Sequence, residues 1–285
     1  MSDSKKLTYF LSLTFLLSYT LEFYVIFNGG VQRFGISILI GLMWLPAISS
    51  LIIRTVSGDW QDIGIKIGSI KSHLIAFLFP FTSSFLVFLA CSFLGFREIG
   101  LLSGSQLSTV IAQLPIILIL GILGAFGEEI GWRGFLTPKI YTAGWKFPTT
   151  ISGTIWAVWH LPIVAFGGYY QGISPSILIV LYFVSILVLN VYMNWIRLFS
   201  GSVIVATSAH AFYNFFFQVF WLHLLFKEPG PNEKYWLMVG GDMGIMTSVV
   251  LLALILIAMK LLGLKVNDDS VGLNSESSST RVLKC

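Results

Sequence analysis

The stretch Glu128-Glu129-Ile130-Gly131-Trp132-Arg133 closes an apolar run that starts near Leu107 and passes through Phe126. A spanning helix needs about 20 mostly apolar residues, and this run supplies them. Three ionisable side chains at its end are costly, at about 3 kcal/mol or more each in lipid, so they are functional candidates by default. Two further clusters have the same character. They are Trp156-Ala157-Val158-Trp159-His160 and His210-Ala211-Phe212-Tyr213-Asn214, each set in its own apolar segment.

The composition agrees. The chain has 285 residues, 56% of them hydrophobic and only 11% charged, with a mean hydropathy of +0.85. A soluble domain carries about 25% charged residues, so the expected class is all-α: a polytopic membrane bundle of about eight helices. The predicted spans are Leu7–Phe27, Phe34–Ile53, Leu74–Phe96, Leu107–Phe126 continuing toward Pro138, Pro148–Phe166, Pro175–Trp195, Ser202–Phe226 and Tyr235–Leu264. Gly240-Gly241-Asp242 interrupts the last. Residues 1–264 then make one transmembrane domain with a core at about 107–226. The Ser- and Asn-rich 265–285 reads as a disordered tail. The first helix has no small-residue cleavage site after it and reads as retained.

Net charge is +4, but the basic residues flank spans, which points to topology and away from nucleic acid. With the N-terminus inside, thirteen of the seventeen Lys and Arg fall on one side and four on the other. Both termini are therefore expected in the cytoplasm, in the plasma membrane of a prokaryote. His160 and His210 then lie about 18 and 12 Å in from the basic end, where all three clusters can meet. Cys91 and Cys285 offer neither a disulfide nor a metal spacing, and Val282-Leu283-Lys284-Cys285 is not a prenylation box.

Glu129 and Arg133 are four apart, the spacing of an ion pair on one helical face. Glu128 points about 100° away and is left as the free carboxylate, the role of a general base. Taken alone, the pair is equally consistent with two solvated carboxylates at a membrane surface. His160 lies among aromatics, where a core histidine satisfied by a carbonyl is the plainer alternative. His210 and Asn214 share a face and can aim two N–H donors at one developing oxyanion; interhelical bridging is the alternative. Asn190 and Asn194 have the same spacing without a nearby carboxylate and read as such a bridge. Glu22 reads as paired within the bundle or snorkelling. There is no His-Glu-x-x-His and no pair of intramembrane aspartates.

Glu-Glu-x-x-x-Arg, then aromatic-x-x-x-His, then His-x-x-x-Asn, in this order on separate apolar helices, resembles the CAAX-protease and bacteriocin-processing family. These are the type II CAAX prenyl endopeptidases and their prokaryotic relatives. The resemblance covers about Leu107 to Phe226 and implies a membrane bundle with a cavity open to the cytoplasm. It implies that Glu128 and His160 activate water, that His210 and Asn214 hold the oxyanion, and that Glu129, Arg133 and Trp156 support them. The substrate class it implies is a membrane-associated or lipidated peptide. Trp156 stands where the family usually has Phe, a departure expected to alter the wall of the pocket and not its chemistry. No cofactor is expected; zinc at Glu128, His160 and His210 is a second reading. A non-catalytic scaffold or immunity protein of the same fold is the alternative function, and a proton-coupled transporter ranks below both.

Overall fold

The computed structural model describes residues 1–96, 99–100, 104–143, 145–168, 170, 172–221 and 233–261. They form an all-α bundle. Helix α1 spans Asp3–Phe27, the short α2 Val31–Phe34, α3 Ile36–Ser57, α4 Ile70–Phe93 and α5 Gly104–Gly131. A π-helical turn, Trp132–Leu136, leads into α6, Thr137–Thr142. Then come α7, Pro148–Phe166; α8, Pro175–Ser200; α9, Val203–Asn214; and a second π-helical segment, Phe215–Phe220. Helices α10, Glu233–Val239, and α11, Ile245–Leu261, complete the described chain.

Among the described residues seven helical stretches are long and apolar enough to cross a membrane. The expected eighth, Tyr235–Leu264, is divided. The backbone breaks between Val239 and Ile245, and α11 keeps 17 residues, about 26 Å of helix. Thr247 Oγ1 closes the break by donating to the Gly241 carbonyl at 2.7 Å. The expected end of the seventh span at Phe226 and the expected disordered tail, 265–285, lie outside the described residues.

Helix α5 positions the first cluster because it lies unusually close to α3. A Cβ on Gly127 would sit 2.8 Å from the Met43 carbonyl oxygen, and one on Gly131 would sit 2.7 Å from the Pro46 carbonyl carbon. Only glycine permits that approach, so α5 and α3 pack backbone to backbone and Glu128 and Glu129 are held without slack.

The π-helical turn begins one residue after Gly131 and carries Arg133. Such a turn inserts an extra residue and loosens the regular backbone ladder, which sequence periodicity alone does not show. Two buried arginines serve carbonyls there. Arg54 donates to the Gly134 oxygen at 2.5 Å, and Arg197 Nε donates to the Arg133 oxygen at 3.0 Å. The same guanidinium groups hold the α3–α4 connection, through the Asp59, Gln61 and Asp62 carbonyls. Ser202 Oγ donates to the Lys66 carbonyl, and Asp59 bonds Lys6 at 2.5 Å and Lys139 at 2.7 Å. This end of the bundle is thus filled by residues 58–69.

Candidate active site

The three clusters converge. Glu128 is buried, and its Oε2 accepts from Trp156 Nε1 at 2.8 Å. Its other oxygen, Oε1, lies 3.7 Å from His160 Nε2. Glu129 is also buried; its Oε1 accepts from Arg133 at 3.1 Å and faces His210 Nδ1 at 2.9 Å. Arg133 completes its fork by donating to Asn190 Oδ1 at 3.0 Å, and its guanidinium lies 4.1 Å from the centre of the Trp156 ring. The arrangement is two carboxylate–histidine pairs side by side, with Trp156 touching both: its N–H holds Glu128 and its ring edge meets His210 at 5.5 Å. Among the described residues, these are the two places where a histidine meets a carboxylate.

The expected Glu129–Arg133 pair is therefore present, and Glu128 is turned away from it. One expectation needs correction, and another holds with an addition. Trp156 does more than shape the wall, because its indole N–H is a hydrogen-bond donor to Glu128 that a phenylalanine lacks. Asn190 and Asn194 do bridge helices, through Ser152, Thr149 and Thr137. Asn190 also reaches Arg133 and so belongs to the support of the carboxylates.

Residues on α1 enter this support: sequence reasoning missed Tyr19, and of the two readings of Glu22 the paired one holds. Pro162, inside α7 two residues after His160, has no N–H to offer the carbonyl of Val158. Tyr19 supplies the missing donor, O–H to the Val158 oxygen at 2.9 Å. Glu22, fully buried and not snorkelling, accepts from the Ile163 N–H at 3.3 Å. The signal available in the sequence was the conjunction of Pro162 with polar groups on a distant span. Nothing in the spacing ties them together.

Glu128, His160, His210 and Asn214 line one cavity of about 380 Å³. Its wall continues along the first turns of α3 at Ile36, Leu39 and Ile40, along α5 at Ile117 and Leu118, and out to Tyr170 and Asp242. From the polar cluster the cavity extends away from the end that holds Arg54, Asp59 and Lys139.

Zinc is tested by its donors. A zinc site takes three or four ligands at about 2.0–2.3 Å. Among the described residues no three His, Cys, Asp or Glu side chains gather to hold a metal ion. Glu128 faces His160 Nε2, and Glu129 meets Nδ1 of His210, which leaves the other ring nitrogen of His210 uncommitted.

The motif order on apolar helices is similar to that of a membrane protease family, and two comparisons support the CAAX-protease and bacteriocin-processing family for this chain. More narrowly, residues 110–216 match the family model described as "Type II CAAX prenyl endopeptidase Rce1-like". That interval contains every motif residue from Glu128 to Asn214. A relative named "CAAX prenyl protease 2", from Methanococcus maripaludis, is 27% identical over 224 residues, which is 72% of this chain and 81% of the relative. Seven apolar spans, with this similarity, support an integral membrane protein.

Proposed function

We propose that the chain is an intramembrane endopeptidase in which Glu128 and His160 activate a water that attacks a peptide carbonyl directly. The observation that carries this is the 3.7 Å gap between Glu128 Oε1 and His160 Nε2 on the cavity wall. It is too long for a direct hydrogen bond, yet a water placed about 2.8 Å from each atom fits between them with an angle of about 80°. Glu128 takes the proton of that water, and Trp156 keeps the carboxylate aimed. The tetrahedral oxyanion meets the Asn214 amide and His210 Nε2. Glu129 holds His210 at Nδ1 and so aims its Nε2 at the oxyanion. The proton held by Glu128 then passes to the departing amine. No acyl-enzyme forms.

The name of the archaeal relative supports a lipidated, CAAX-type peptide as substrate, with leader-peptide processing as the alternative. The polar pole suits the scissile amide, and the apolar wall of α3 and α5 suits a lipid chain. The spans make one transmembrane domain. Both termini on the cytoplasmic side of a prokaryotic plasma membrane is the orientation supported by Lys5, Lys66, Lys71 and Lys146. Arg54, Arg133, Arg197 and Lys139 are used internally and carry less weight in that count.

The test compares the membrane peptides of cells carrying wild type and Glu128→Gln, with both proteins purified and checked for equal melting. Loss of a positioned base lowers the rate by about 10²–10⁴-fold. A cleavage product present with wild type and missing with the variant is expected. A Glu128→Gln protein that cuts as fast as wild type would overturn the assignment. Equal peptide sets with a large loss of stability would favour the non-catalytic scaffold.

A further inference from the structure

Asp242 lines the cavity at the end remote from Glu128. It lies outside residues 110–216, so the family match says nothing of it. It sits in the break between α10 and α11, and three groups fix it. Tyr170 O–H and Gln218 Nε2 donate to Oδ2 at 2.7 and 2.8 Å, and the Met243 N–H donates to Oδ1 at 3.1 Å. Tyr213 O–H locks the backbone by donating to the Asp242 carbonyl oxygen at 2.7 Å.

A carboxylate offers about four acceptor positions. Tyr170, Gln218 and Met243 supply three donors and the Asp242 N–H also reaches the carboxylate, and every one of these groups is uncharged. No Lys, Arg or His among the described residues forms an ion pair with it. An acid on an apolar wall without a cation is costly, and the cost falls when a cation is brought to it. The frame around it is fixed by these bonds, and Asp242 lines the same cavity as the Glu128, His160 and His210 cluster.

We propose that Asp242, framed by Tyr170 and Gln218, is a subsite for a basic side chain of the bound peptide. The proposal rests on the reading that this cavity holds the substrate. Its position gives the register. Gln218 follows Asn214 by four residues and His210 by eight, which is about 6 to 12 Å along the helix. An extended peptide advances about 3.3 Å per residue. The Lys or Arg recognised by Asp242 is therefore about two to four residues from the bond that Glu128 and His160 face.

The test needs no knowledge of the substrate. Binding of n-octylammonium and n-octanol to the full-length protein in detergent is compared for wild type, Asp242→Asn and Glu128→Gln. Wild type is expected to bind the ammonium about tenfold or more tightly, the scale of one charge-assisted hydrogen bond. Asp242→Asn loses that preference and Glu128→Gln keeps it. Wild type binding both equally, or a preference that survives in Asp242→Asn, overturns the subsite. A preference lost in Glu128→Gln alone assigns the cation to the catalytic end and overturns it too. A second measurement uses wild type only: modification of Asp242 by dicyclohexylcarbodiimide, read by peptide mass. Octylammonium is expected to slow it and octanol is not. No modification, or modification that octylammonium leaves unchanged, again overturns the subsite. Neither readout depends on hydrolysis, so failure here is distinct from failure of Glu128 as the base.

Discussion

Replacing Arg133 with Met tests how the paired carboxylates are held. Met roughly fills the stem of the arginine but supplies no donor. Glu129 would lose the bond at 3.1 Å and keep only His210 at 2.9 Å; its Oε2 already has no partner. Asn190 Oδ1 would lose its donor, and the Trp156 ring would lose the guanidinium 4.1 Å away. Both members of the ion pair are fully buried. Breaking a buried pair by removing one partner costs about 3–5 kcal/mol, most of it from the charge left bare. The expected loss is therefore about 3–5 kcal/mol, toward the lower end because His210 still meets Glu129. The double variant Glu129→Gln/Arg133→Met removes the bare charge as well and should lose only about 1–2 kcal/mol, close to the worth of the remaining hydrogen bonds. The assay is reversible unfolding in mixed micelles for wild type, both single variants and the double, read as a double-mutant cycle. A loss below about 1 kcal/mol in Arg133→Met, or two single losses that simply add, would refute a buried charge pair as the support of the site.

Gly131→Ala places a methyl group against the Pro46 backbone; a loss of about 1–3 kcal/mol and slower cleavage are expected, and unchanged melting would disprove the close α3–α5 approach. The Asp59 clamp should be sensitive to acid. Burial works against its ionisation, but Lys139 and Lys6 outweigh that and hold its carboxyl well below the usual carboxylate range. A carboxyl depressed on folding contributes stability above its unfolded value, about pH 3.9, and loses it as the pH falls further toward the folded value. Wild type should then lose melting temperature between about pH 4 and 2 more steeply than Asp59→Asn; parallel curves would show that the clamp contributes nothing.

What could be read from the sequence was whatever lies within one helix. Glu129 and Arg133 meet because they are four apart, and His210 and Asn214 line one cavity for the same reason. The order of the motifs on separate spans carried the convergence. What could not be read depends on which helices touch. Trp156 reaches Glu128 across 28 positions, Arg54 reaches Gly134 across 80, and Tyr19 reaches Val158 across 139. Arg54 and Arg197 looked like markers of a membrane boundary because a count of charges sees only their number; in the fold they serve carbonyls around a π-helical turn. That turn was itself hidden, since an inserted residue leaves the apolar run unbroken. Asp242 looked like an interruption of a span, and it became a wall of the cavity only once α10 and α11 had folded back against Tyr170 and Gln218.

The missing donor at Pro162 sets a lower limit on how much polypeptide the proposed site needs. The stretch that defines the family begins at residue 110, whereas the phenol that caps the Val158 carbonyl comes from the first span. A shortened chain built from the motif helices alone would leave that carbonyl without its donor, two residues from His160, and an unmet backbone group in hydrocarbon costs several kcal/mol. The opening helix is thus an outrigger of the proposed centre, and grafting that centre onto another scaffold means carrying Tyr19 and Glu22 with it.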